Sequence, residues 1–126
     1  GAITSEMSPD DADAAFHNTI ARSTNNKMII FVIESMWKIR TTHTELHKVY
    51  QRVCSENATY RETEHQTILQ ALKDRDPIAA RKAMRDHFVT VMQALLEISE
   101  EEAYRDIQIK AAQHRSRFLL TNQIGA

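Results

Sequence analysis

A chain of 126 residues with 42% hydrophobic positions can fill one domain core with little to spare. Two glycines and two prolines are too few turn signals for an all-β fold, and the wealth of Ala, Leu, Ile, Met, Glu, Lys, Arg and Gln makes helix the expected class. With 16 basic and 17 acidic residues the net charge is −1, which gives no electrostatic footprint for nucleic acid. No apolar run approaches the ~20 residues that span a bilayer; the longest, Met28 to Ile33, covers less than two helical turns. No signal peptide is visible, and Gly1-Ala2 reads as a cloning remnant. The single Cys54 excludes an internal disulfide and fits a reducing cytoplasm.

In chain order, Ser8-Pro9-Asp10-Asp11 reads as a helix start: Ser8 caps, Pro9 suits the first helical position, and the two aspartates complement the dipole. This first helix is expected to end near Ser23, before Thr24-Asn25-Asn26. A second helical pattern runs from Asn26 through Trp37 to Arg40 or Thr42. Thr41-Thr42-His43-Thr44 weakens it with β-branched residues, and Leu46, Val49, Tyr50 and Val53 resume a helical stripe. After a break at Cys54-Ser55-Glu56-Asn57, a helix is predicted from about Ala58 to Lys73. Asp74-Arg75-Asp76-Pro77 is the clearest punctuation, with Asp76 as cap and Pro77 as first helical residue. A long helix then reaches about Glu101, and a separate helix is expected from Tyr104 to Leu120. The expectation is an all-α, antiparallel helical bundle of five to six helices.

The residues that suggest chemistry are Asp13, His17, His65 and His87. Asp13 and His17 are four apart, hence on one helix face and able to converge on one point; Phe16 between them would anchor the helix in the core. His65 lies on an apolar stripe beside Ile68 and Leu69, and His87 lies between Met84 and Val91. Either histidine alone reads most simply as a packed core residue bonded to backbone or carboxylate. Two of them on successive helices, beside an Asp-His pair on a third, favour a shared divalent ion. Three imidazoles and one carboxylate suit zinc first, with Ni, Fe, Co or Mn also compatible, and a partly open coordination sphere would admit an exogenous ligand. His43 and His47 are also four apart, but Glu45 is not where a metalloprotease motif needs it, and their polar setting reads as solvated. His114 reads as exposed. Arg61, four before His65, and Arg40, near Trp37, are candidate partners for a carboxylate ligand, against the plainer reading of two solvated arginines.

Taken in order, these signals resemble a known family. Asp13-Ala14-Ala15-Phe16-His17 followed by Ala21 to Asn26 is similar to the "D-x-x-F-H … A-x-x-x-x-N" segment of the FadR branch of GntR-type transcription regulators. Glu64-His65 to Leu72, with Asp76 and Ala80-Arg81-Lys82-Ala83-Met84-Arg85-Asp86-His87, is similar to its "E-H-x-x-I-x-x-A … A-R-x-A-M-x-x-H" segment. The match spans roughly residues 10 to 100. It implies a C-terminal, effector-binding (FCD) domain in which Asp13, His17, His65 and His87 hold a metal at the floor of a cavity. It also implies a small carboxylate effector, a homodimer, and contact with DNA only through an N-terminal domain absent from this chain. A narrower likeness around Met36-Trp37 and Leu46-His47, to regulators of hexuronate catabolism, ranks hexuronates first among effectors. The first helices of the effector domain are also expected to be missing, so residues 1–126 read as one partial domain. Its exposed apolar faces would then be covered by self-association or rearrangement. Two other readings stay open: a helical metal-dependent enzyme, for which Glu62 and Glu64 are the nearest candidate bases, and a metal-free interaction module.

Overall fold

The computed structural model describes residues 7–124, so Gly1-Ala2 lies outside the described residues. Five helices follow in order: α1 Pro9–Ser23, α2 Lys27–Thr42, α3 Thr44–Glu56, α4 Ala58–Lys73 and α5 Pro77–Ile124. They pack as an all-α bundle, and no strand occurs among the described residues.

The helix ends follow from local chemistry. Ser8 Oγ accepts from the Asp11 backbone N–H at 3.1 Å, with Pro9 in the first turn. Asn25 adopts φ 52°, a left-handed turn residue, and Asn26 Oδ1 then accepts from the N–H groups of Met28 and Ile29 to start α2. At the other end of α2 the Thr41 and Thr42 hydroxyls bond back to carbonyls of the preceding turn, and His43 leaves helical geometry at φ −90°, ψ 105°. Arg75 supplies a second left-handed residue, at φ 55°, before Asp76 Oδ1 caps Ile78 and Ala79.

One expectation is corrected. The helix expected to stop near Glu101 and the separate one from Tyr104 to Leu120 are a single 48-residue helix, about 72 Å long at 1.5 Å per residue. No Gly or Pro occurs between Pro77 and Gly125, and the Glu-rich stretch 97–102 is built of good helix formers, so nothing breaks the backbone ladder there.

The buried apolar residues are Ala21, Val53, Cys54, Ile68, Ala71, Val91 and Ile98. Alongside them are four buried polar ones, Asp13, Arg40, Arg61 and His87. Three side chains are sealed almost completely, and His87 is one of them, with Ile68 and Val53. The bundle therefore has a polar centre flanked by a modest core, while α2 exposes Met28, Phe31, Met36 and Ile39. Ile68, 1% exposed, and Ile78, 80% exposed, are a matched test of that layout. Ile68→Ala is expected to lower the unfolding free energy by about 3 kcal/mol and Ile78→Ala by less than about 0.5 kcal/mol, measured by urea denaturation.

Candidate metal centre and adjoining cavity

Three helices bring the predicted residues together. α1 carries Asp13 and His17 one turn apart, α4 carries His65, and α5 carries His87. One ligand atom from each lies within 4.8 Å of all the others. His17 Nε2 is 3.2 Å from His87 Nε2 and 3.5 Å from Asp13 Oδ1, and His65 Nε2 is 3.2 Å from the same carboxylate oxygen. Neighbouring ligands at about 2.1 Å from one ion stand about 3.0–3.4 Å apart, so these separations fit a single ion. Asp13 Oδ1 and His65 Nε2 are both buried and neither makes a hydrogen bond. They face each other at 3.2 Å, and a cation between them would give both a stronger partner.

The rings are held by their surroundings. Phe16 stacks on His65 with centroids 4.3 Å apart, and Trp37 packs beside His17. Glu64 Oε2 lies 2.8 Å from His87 Nδ1. A proton on Nδ1 donated to Glu64 leaves the Nε2 lone pair of His87 facing His17 and the centre, as ligating histidines require. Burial opposes protonation of His87, and the neighbouring His17 and His65 add to that effect against the contrary pull of Glu64, so its pKa lies below the usual imidazole value.

The second oxygen of Asp13 faces away from the cluster. Its Oδ2 forms an ion pair with Arg61 Nη2 at 2.6 Å and accepts from Arg40 Nη1 at 3.2 Å. Burial alone would raise the Asp13 pKa; the polar contacts with His17 and His65 and the charge of Arg61 outweigh it and hold the carboxyl far below its usual range. Arg40 also bonds Asp10, donates to Cys54 Sγ at 3.3 Å, and is sandwiched between Trp37 and Tyr50, 4.2 and 3.9 Å from the ring centres. Arg61 Nη1 donates to Cys54 Sγ at 2.7 Å. Both arginines are thus buried and internally paired, contrary to the solvated reading.

A cavity of about 420 Å³ opens beside the cluster, bordered by Asp13, Phe16, Arg61, Glu62, His65 and Leu69 among others. Arg61 borders it; Arg40 does not. His43 is exposed, where Nδ1 accepts weakly from the Leu46 N–H, and His114 is exposed. His47 is half-buried, 3.8 Å from Asp10 Oδ2, which corrects its solvated reading. Sequence reasoning missed Asp10 and Glu64 as supports. Asp10 had a visible signal, since it shares the helix face of Asp13 and His17 at spacings of three and four.

This is a helical bundle whose buried donor set suits a metal ion and which carries a ligand-sized cavity against that set. The chain belongs to the FCD domain family of GntR-type transcription regulators: the FCD domain model matches residues 5–90. Among curated proteins it is similar to the Uxu operon regulator of Haemophilus influenzae, 30% identical over 101 residues, 79% of this chain and 38% of that protein. The Uxu operon transcriptional regulator of Escherichia coli K12 is 31% identical over 103 residues, 79% of this chain and 39% of that protein. The Exu regulon transcriptional regulator of the same strain is 32% identical over 75 residues, 60% and 29% of the two chains. The chain thus spans less than two fifths of the length of these relatives. No solved structure matches it. No described helix is long and apolar enough to cross a membrane.

Two outcomes are expected. Arg61→Ala, which strips a close partner from a buried carboxylate, lowers stability by about 3–5 kcal/mol in urea titrations, whereas Arg22→Ala at an exposed pair changes it by less than about 1 kcal/mol. In chelator, the depressed His87 pKa makes the unfolded chain bind more protons as pH falls below about 6.5, so stability falls there with pH, and His87→Gln flattens that slope.

Proposed function

We propose that this domain binds a divalent metal ion through Asp13, His17, His65 and His87 and senses a small carboxylate effector, a hexuronate first among them, in the adjoining cavity. The observation that carries the reading is the convergence of one ligand atom each from Asp13, His17, His65 and His87, all within 4.8 Å of one another, beside a cavity bordered by Arg61. Zinc suits three imidazoles and one carboxylate best; Ni, Fe, Co and Mn are the alternatives. When bound, the ion supplies an electrophilic position for an oxygen of the effector.

The protein's own groups do the rest. Arg61, whose Nη1 and Nη2 already meet Cys54 and Asp13, borders the cavity and attracts the effector carboxylate there by its charge and its remaining N–H hydrogens. Arg40 acts through Asp13, holding its orientation from behind. Glu64 fixes the tautomer of His87. Because α1, α4 and α5 each contribute a ligand, an effector that prefers one helix arrangement shifts the population toward it, and only its differential affinity counts. In this reading residues 1–126 are part of the effector domain of a FadR-branch regulator that works in the cytoplasm as a homodimer and is not an enzyme. It touches DNA through a separate N-terminal domain. The choice of hexuronates rests on the narrower likeness around Met36-Trp37 and Leu46-His47, and the similarity to the Uxu and Exu regulators is the comparison that bears on it.

The test joins elemental analysis with thermal shift. One equivalent of metal per chain is expected, lost in His17→Ala, together with stabilisation by hexuronates that vanishes on chelation. A wild-type chain without stoichiometric metal removes the central claim; stabilisation only by unrelated acids leaves the metal and replaces the effector.

A further inference from the structure

From Ala103 to Gln123 every residue of α5 is exposed, a stretch of helix with nothing packed on it. Isolated helices of this length are marginal in water, because little beyond propensity holds them. The stretch is also not uniformly polar. At 100° per residue, Val89, Met92, Leu96, Ile107 and Phe118 share one stripe, and each is half exposed or more. That stripe lies on the side of α5 opposite His87, Val91 and Ile98, which are buried against the bundle. It begins on the bundle and continues onto the free half, over about 44 Å from Val89 to Phe118.

The charges along α5 are divided in the same sense. Glu97, Glu100, Glu101 and Glu102 precede the free half, Glu101 already paired with Arg52; the adjacent Arg105 and Asp106 offset each other near its start, and Lys110, Arg115 and Arg117 lie beyond them, with His114 among them. A parallel pair of α5 helices would set glutamates against glutamates and arginines against arginines. An antiparallel pair related by a two-fold axis near Ile107 does the opposite. It brings Glu97 to the partner's Arg115 on the same flank and Glu100 to the partner's His114. It also lays Phe118 over the partner's Leu96, and each contact occurs twice. The pattern is therefore self-complementary, and it uses the stripe on both the bundle and the free half.

We infer that the outer face of α5 is an interface with a second copy of this chain, formed by antiparallel pairing of the two α5 helices about Ile107. The inference rests on the homodimer of the proposed function and assigns its surface; the experiment distinguishes failure of the surface from failure of the dimer.

Sedimentation of the chain at micromolar concentrations is expected to give a dimer, and Ile107→Asp a monomer whose helical circular dichroism falls by no more than the free half of α5 contributes while the bundle still unfolds cooperatively. Glu97→Arg is expected to raise the dissociation constant several-fold, and Arg115→Glu added to it to restore dimerisation. Under oxidation, Ile107→Cys cross-links with itself, and Leu96→Cys cross-links with Phe118→Cys in mixtures but not with itself. A wild-type monomer defeats both surface and dimer. A dimer that survives Ile107→Asp, gains nothing from the charge swap, or cross-links Leu96→Cys to itself keeps the dimer and rejects this surface.

Discussion

A single carboxylate at the middle of the bundle ties the helices together. Asp13 on α1 takes Arg40 from α2 and Arg61 from α4 on one oxygen, and turns the other toward His17 and His65. An unpaired carboxylate at that depth would be neutralised or expelled. With the two guanidiniums present it stays ionised, and the helices that carry those arginines are held in register with α1. Asp10 and Cys54 extend the same network, so α3 is joined to it as well. The placement of the four ligand atoms is a consequence: once Asp13 is fixed from behind, its free oxygen and the three imidazoles have only one common point to face.

This arrangement has an energetic character of its own. Among the described residues seven apolar side chains are buried beside four polar ones, so the best-sealed positions include a histidine and the centre holds two arginines. Such a network is stable when complete and costly when any member is left without its partner. Asp13 Oδ1 and His65 Nε2 are its weakest link, 3.2 Å apart without forming a hydrogen bond. A domain with an incomplete polar centre gains more from a bound cation, and from whatever that cation helps to hold, than one with a dry apolar core.

Much of this was legible in the residues. The caps Ser8, Asn26 and Asp76 mark three helix starts by local hydrogen bonding alone, and the spacing of Asp13 and His17 and the apolar neighbours of His65 and His87 pointed to one cluster. What was hidden depends on partners from elsewhere in the chain. Nothing local distinguishes Arg40 or Arg61 from a solvated arginine, because their burial is decided by Asp13 on another helix. Glu64 is adjacent to His65 but serves His87 on α5, a contact no spacing within α4 reveals. The length of α5 was misjudged for a different reason: a run of glutamates resembles a surface terminus, although it contains no residue that stops a helix.

The same α5 that supplies His87 to the centre carries the outer stripe on its opposite face. A helix is stiff over a few turns, so a rotation or slide that alters how His87 meets His17 also moves Val89, Met92 and Leu96, which lie within three turns of it. Small shifts at a packed centre are translated into displacement of an element because close-packed interiors resist gradual deformation. Arg61 at the cavity wall is linked to this helix through the carboxylate of Asp13, which touches His65 and His17, and through His17 to His87. The chain of contacts from cavity to outer face is therefore only a few side chains long, and every link in it is polar or aromatic. Short, directional links of that kind have discrete arrangements, so a change at the cavity wall would reach α5 in steps and not as a gradual deformation.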